Sequence, residues 1–91
     1  MYWEKEIQSR LAVELSAKTE IVCLAGRIDL LSSSEIIEIK YGPKWKHALG
    51  QILAYGKYYP TYQKVIHLFG SVKKPDINDT CAVYNVLVRY E

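Results

Sequence analysis

Three runs rich in β-branched residues follow one another with only short turns between them, and this spacing constrains the fold more than any other feature. The runs occupy residues 19–24, 27–31 and 35–41. An Ala-Gly pair and three serines separate them, and such residues favour turns. Parallel strands need a long crossover, whereas a short turn joins antiparallel strands. The runs therefore predict an antiparallel β-meander.

Helices and further strands are predicted on both sides of this meander. Apolar residues at four-residue steps predict a first helix over about 2–16. A second helix is predicted over about 44–59, between two prolines. Strands at 64–69 and 86–90, with a short helix over 75–84 between them, complete the order αβββαβαβ. This order predicts an α/β fold with a small mixed β-sheet and flanking helices.

The composition is that of one small globular domain. The chain has 91 residues, 49% of them hydrophobic, and we expect a single domain over 1–91. Early charges and short apolar runs argue against a signal peptide and a membrane span, so a soluble cytoplasmic protein is expected, in the host cell if the source is viral. Cys23 and Cys81 lie in apolar contexts and are expected to be reduced thiols. A homodimer would help to stabilise so short a chain.

Two acids and a lysine stand inside predicted strands: Asp29 in the second run, and Glu38 and Lys40 in the third. Side chains on one face of a strand repeat every two residues, so Glu38 and Lys40 share a face. Two carboxylates that converge at a sheet edge repel each other unless a cation compensates, and oxygen ligands suit Mg²⁺ or Mn²⁺. Together with a metal ion, these groups form a minimal set for phosphodiester hydrolysis. The alternative is a solvated ion-pair face.

In context, this pattern resembles the PD-(D/E)XK nuclease superfamily. The residues that carry the resemblance are Gly26-Arg27-Ile28-Asp29 and Glu38-Ile39-Lys40, with Ile28 at the position of the superfamily's nominal proline. The resemblance implies a restriction-endonuclease-like αβββαβ core and a nuclease that cuts DNA with Mg²⁺, for which Mn²⁺ can substitute. It also implies that Asp29, Glu38 and the carbonyl of Ile39 bind the metal. Lys40 would then assist the attacking water.

A glutamate of the first helix is expected to join this site. The apolar stripe of that helix is Trp3, Ile7, Leu11 and Leu15. On a helical wheel Glu4 lies near the stripe and Glu6 far from it, so Glu4 should point along the sheet and Glu6 to solvent. Residues 4–11 also resemble the first helix of archaeal Holliday-junction resolvases, whose first Glu is catalytic. That likeness implies a catalytic and metal-binding Glu4, and the alternative is an acid that interacts with the helix dipole.

The second helix carries candidate substrate-binding residues. Gln51 and Tyr55 are one turn apart and share a face. The segment 51–55 resembles the QxxxY motif of the RecB-like and lambda-exonuclease-like branch, which implies contacts with the catalytic lysine or a phosphate. The alternative is a polar helix flank with a half-buried tyrosine. Lys44 and His47 suit the phosphate backbone of DNA, or are ordinary surface residues.

The leading hypothesis from the sequence is therefore a metal-dependent deoxyribonuclease that selects DNA structure rather than DNA sequence. One alternative is a module that keeps the fold and binds nucleic acid without cutting it. Such a module would show salt-sensitive DNA binding without metal-dependent turnover. Another alternative is a partner-binding or oligomerisation domain that uses a surface rich in tyrosine.

Overall fold

The protein is described here by a computed structural model that covers residues 3–70 and 74–91. Within those residues the chain forms three α-helices and five β-strands in the predicted order αβββαβαβ. The elements are α1 (Trp3–Glu14), β1 (Lys18–Cys23), β2 (Gly26–Leu31), β3 (Glu35–Tyr41), α2 (Trp45–Gly56), β4 (Gln63–Phe69), α3 (Pro75–Val83) and β5 (Val86–Tyr90). A short 3-10 helix, Gly42–Lys44, joins β3 to α2.

The five strands form one mixed sheet in the order β1-β2-β3-β4-β5. The first three strands are antiparallel, as their short turns predict. The pairs β3–β4 and β4–β5 are parallel, and each of these connections contains a helix. The prediction of a small mixed α/β sheet with flanking helices is thus confirmed.

Each face of the sheet carries its own apolar core. Neighbouring residues of β3 alternate between the two cores, with Ile36 on the side of α2 and α3 and Ile37 on the side of α1. In β2 this alternation breaks, because Ile28 packs with α2 whereas Leu30, two residues on, packs with α1. A regular strand would place both residues on one face. The irregular residue between them is Asp29.

Two predicted helix boundaries need correction. Helix α1 ends at Glu14, and its apolar stripe is buried only in the middle, at Ile7 and Leu11. Trp3 is 46% exposed because it lines a cavity at the helix start instead of covering the sheet, and Leu15 is exposed beyond the helix end. Residue 2, included in the predicted helix, lies outside the described residues. Helix α2 ends at Gly56, three residues before the predicted end at 59.

Both cysteines are free thiols, as expected, with Cys81 buried and Cys23 half-buried. Across residues 3–70 and 74–91, each helix is too short or too polar to cross a lipid bilayer.

Candidate functional site

Strands β2 and β3 separate just where the predicted acids lie. Their backbones pair at Leu30–Ile37 and Leu31–Ile36 and not beyond. Further along, the Ile39 amide donates a hydrogen bond of 2.8 Å to Oδ2 of Asp29. A side-chain carboxylate thus accepts the hydrogen bond of an amide that would pair with a backbone carbonyl group in a regular ladder. The result is a fork between two strands, with the Asp29 carboxylate fixed inside it.

The other side of β2 is irregular at the same position. Opposite Asp29, Glu20 of β1 has a left-handed backbone conformation with φ of 55°, and no backbone pair joins the two residues. The carbonyl group of Asp29 instead accepts a hydrogen bond of 3.0 Å from Nε2 of the buried Gln8 on α1. Asp29 is therefore held by α1 through its backbone and by β3 through its side chain.

Glu38 is the most unusual acid in the described residues. Glu38 is only 3% exposed, and its Oε1 is buried without a hydrogen-bond partner. Burial, reinforced by the negative charge of Asp29, raises the pKa of Glu38 to about 8, although the charge of Lys40 opposes the shift. A hydrogen bond from the backbone of Asp29 also opposes the shift, and the net effect favours the protonated form of Glu38.

Glu4, Asp29, Glu38 and Lys40 act on one another and form what we call the acid–lysine cluster. Burial raises the pKa of Asp29, the Ile39 amide opposes this shift, and the charge of Glu4 adds to it. Glu4 acts on Glu38 in the same direction. Lys40 lowers the pKa of both buried acids. The structure thus brings these four predicted residues into one electrostatic unit.

The acids of the cluster do not stand together as a ready-made group of three ligands. Among residues 3–70 and 74–91, no three or more His, Cys, Asp or Glu side chains form a group that could hold a metal ion. Glu4 lies in the first turn of α1 and lines a cavity, whereas the other two acids lie in the sheet. Its role as a metal ligand stays a prediction. The predicted role of the Ile39 carbonyl stays a prediction.

A cavity of about 410 Å³ opens beside the cluster. Its lining consists of Trp3, Glu4, Lys40, Tyr41, Lys44, His47 and Phe69. Lys44 and His47, predicted from the sequence, thus share a cavity with two members of the acid–lysine cluster. Three aromatic residues of the lining, Trp3, Tyr41 and Phe69, were not predicted as site residues. The position of Tyr41 directly after Lys40, at the end of β3, is the sequence signal that could have indicated it.

Gln51 and Tyr55 lie under the sheet and do not line this cavity. Tyr55 is buried in the core between the sheet and α2, so it is not the half-buried tyrosine of a polar flank. A β-carbon on Gly26 would lie 3.2 Å from its hydroxyl oxygen. Burial, then the charge of Glu38, raises the pKa of Tyr55. Gln51 has a buried Oε1 without a hydrogen-bond partner, and the contacts of both residues with a phosphate stay predictions.

A second acid, Glu20, is neutralised by its neighbours. It forms ion pairs of 2.6 Å with Lys5 and 2.9 Å with Arg27, and accepts a hydrogen bond of 3.1 Å from Gln8. These partners, Lys5 first, lower the pKa of Glu20 to about 2. Sequence reasoning did not find this group, because its members come from α1, β1 and β2 and have no regular spacing.

Fold and site together define a small mixed α/β domain with buried acids and a lysine at a fork between two strands. The chain is similar to three proteins of Acanthamoeba polyphaga mimivirus, each named as a KilA-N domain-containing protein. It is 41% identical over 88 residues to L33, 49% identical over 74 residues to L32, and 38% identical over 89 residues to R878. These alignments cover 94%, 81% and 94% of this chain.

The chain spans only a minor part of these relatives. It covers 36% of L33, 20% of L32 and 25% of R878. Most of each relative therefore lies outside the segment that aligns with this chain. No family model matches the chain, and no solved structure matches it.

Proposed function

We propose that this domain binds DNA through the cavity beside the acid–lysine cluster. KilA-N domains are a DNA-binding family, and three relatives carry that name, which supports DNA as the partner. The observation that carries the proposal is the meeting of Lys40, Lys44 and His47 in one cavity with exposed aromatic rings. Cations bind phosphates, and aromatic rings stack on bases.

The binding proposal is tested by fluorescence anisotropy with labelled DNA at several salt concentrations. Wild type should bind, with an affinity that falls as salt rises. Lys44→Ala should weaken binding and reduce the salt dependence, because a phosphate contact is lost. The matched control is Lys57→Ala, which removes an exposed lysine outside the cavity and should change little. Absence of DNA binding by wild type would overturn the proposal.

We further propose that the acid–lysine cluster hydrolyses a phosphodiester bond with a divalent cation, on a restriction-endonuclease-like fold of the PD-(D/E)XK superfamily. The buried Oε1 of Glu38, which has no hydrogen-bond partner, supports this second proposal. A buried carboxylate oxygen without a partner costs stability, and a cation would remove the cost. Mg²⁺ keeps several waters and needs only one or two carboxylates, so Asp29 and Glu38 suit it.

Each member of the cluster has a distinct task in this proposal. Asp29 and Glu38 would hold the cation, and the Ile39 carbonyl is the further ligand that the resemblance implies. When bound, Mg²⁺ or Mn²⁺ supplies Lewis-acid charge to the phosphodiester. The ammonium group of Lys40 orients the attacking water and stabilises the negative charge that develops on the phosphate. Glu4, at the mouth of the cavity, acts on the buried acids through its charge.

The hydrolysis proposal is tested with plasmid, single-stranded and branched DNA, in Mg²⁺ or Mn²⁺ and in chelator. Wild type should cut at least one of these forms only when a divalent cation is present. Lys40→Ala should abolish cutting, and Lys57→Ala should retain it. If wild type binds all three forms and cuts none, the domain is the non-catalytic DNA-binding module instead.

The homodimer and the host-cell location remain predictions, the latter supported by the viral origin of the relatives.

A further inference from the structure

We propose that the cavity beside the acid–lysine cluster holds one unpaired nucleotide, so that the domain prefers single-stranded or frayed DNA to a fully paired duplex. This inference rests on the proposed DNA binding and adds the form of DNA that is recognised. It depends on Tyr41, one of the exposed aromatic rings of the cavity.

The ring of Tyr41 is exposed and yet firmly supported. It is 44% exposed and lies at the end of β3, directly after Lys40. One side packs against Phe69 of the neighbouring strand, with ring centroids 5.8 Å apart and planes tilted by 53°. Such a tilted pair is a favourable aromatic geometry. The chain thus keeps a large ring at the surface in a defined position.

The backbone after β4 is shaped to fit this ring. Gly70 has φ of 68°, which favours glycine. A β-carbon at Gly70 would lie only 3.0 Å from Cε1 of Tyr41. Any other residue would be strained there and would push against the ring. Tyr41 is therefore held by a strand on one side and by a close glycine backbone, which makes it a rigid platform.

The rest of the cavity matches a nucleotide better than a phosphate alone. Its volume of about 410 Å³ is in the range of small-molecule sites. Trp3 and Phe69 add aromatic surface, and Lys44 and His47 add groups that suit a phosphate. Glu4 lines the same cavity, and its carboxylate repels a bare phosphate. Because the positive and negative groups of the cavity partly offset each other, a phosphate alone would bind weakly. A base that stacks on Tyr41 would add the missing affinity.

Base pairing decides which DNA can use such a cavity. In a duplex the faces of the bases are covered by their neighbours, so a ring at the protein surface reaches base edges or the backbone but cannot stack on a base. In a single strand each base can leave its neighbours and stack on an aromatic side chain. Lys40 and Glu4 line the cavity and belong to the acid–lysine cluster, so an unpaired nucleotide held here lies next to the cluster.

The test compares a short oligothymidylate with a blunt hairpin duplex that has the same number of phosphates, both in chelator to prevent cutting. Wild type should bind the single strand about fivefold or more tightly than the duplex. Tyr41→Leu, which keeps an apolar side chain against Phe69, should weaken single-strand binding much more than duplex binding and so remove most of this preference. Tyr41→Phe keeps the ring and should keep the preference.

Tyr84→Leu is the matched control, because Tyr84 is exposed and lies outside the cavity. It should leave both affinities unchanged. Equal affinity of wild type for the two DNA forms, or equal losses on both in Tyr41→Leu, would overturn the inference while DNA binding stands. Failure of wild type to bind either DNA would overturn the binding proposal, and this inference with it. The wild-type comparison decides the matter even if Tyr41→Leu does not fold.

Discussion

Glu20 and Glu38 lie on the two strands that flank β2, and the chain surrounds their carboxylates in opposite ways. Lys5, Arg27 and Gln8 contact Glu20, and the pKa of Glu20 falls to about 2. Glu38 is buried with an oxygen that lacks a partner, and its pKa rises to about 8. The first acid is compensated by the protein itself. The second is compensated only in part, by the charge of Lys40 and a hydrogen bond from the backbone of Asp29.

This difference separates an acid that stabilises the fold from an acid that suits a ligand. Buried charges without full compensation cost stability, and such groups are concentrated at functional sites. If Glu4, Asp29 and Glu38 were all ionised, Lys40 would leave two negative charges in the cluster. A divalent cation carries the opposite charge. The Glu20 group needs no such ion, because its own basic partners are in place.

The largest expected effect concerns DNA cleavage. Under the proposed hydrolysis, Glu38→Gln should reduce the rate by at least about 100-fold, because a neutral amide would not offset the charge of the cation that the proposed reaction requires. Glu20→Gln should stay within about twofold of wild type, since Glu20 is outside the cluster. Initial rates on supercoiled plasmid in Mn²⁺ measure both. Similar losses in the two variants would show that the two acids are not functionally distinct.

A smaller effect is expected on stability in metal-free buffer. The folded state binds the Glu38 proton up to a pKa of about 8, whereas the unfolded chain releases it near 4.5, so stability falls as pH rises between these values. Glu38→Gln removes this fall. The free energy of unfolding of the variant, relative to that of wild type, should therefore rise by at least about 1 kcal/mol from the acid end to the alkaline end of the window. Urea unfolding at the two ends of the window measures the gain. A gain that does not change with pH would contradict the raised pKa.

The smallest effect, of opposite sign, is expected for Glu20. Its folded pKa of about 2 lies below its ordinary 4.5, so its contribution to stability is present above 4.5 and lost as pH falls toward 2. Glu20→Gln should lower the melting temperature at neutral pH and not at the acid end. Because the ion pairs are exposed, high salt should shrink the difference. A difference that survives both acid and salt would have to come from another interaction.

Much of the fold follows from local sequence patterns. The bounds of β3 and β5 agree with the predicted ranges 35–41 and 86–90, since short turns and apolar runs mark both strands. The exposed Trp3 and the early end of α2 were missed. These depend on where a helix lies over the sheet, and a periodic pattern carries no information on that.

The candidate site also combines features that local sequence patterns predict with features that depend on contacts between distant residues. The period of two in β3 places Glu38 and Lys40 on one face, the strand pattern singles out Asp29, and the helical wheel selects Glu4 over Glu6. The resemblance adds the expected role of each residue. The break in β2 at Asp29 could not be predicted, because it depends on Gln8 of α1 and the amide of Ile39. Tyr41 was missed although its position after Lys40 could have indicated it. The support of its ring by Gly70 could not be predicted, since Gly70 lies on a distant part of the chain.

Calorimetric titration with Mn²⁺, in the absence of DNA, tests most directly whether the buried acids form a cation site. Wild type and Glu20→Gln should bind Mn²⁺ with similar affinity, and Glu38→Gln should bind it at least about tenfold more weakly. Binding should release protons near neutral pH, because the carboxyl group of Glu38 must ionise. Absence of binding to wild type, or equal binding to all three proteins, would contradict a cation site between β2 and β3.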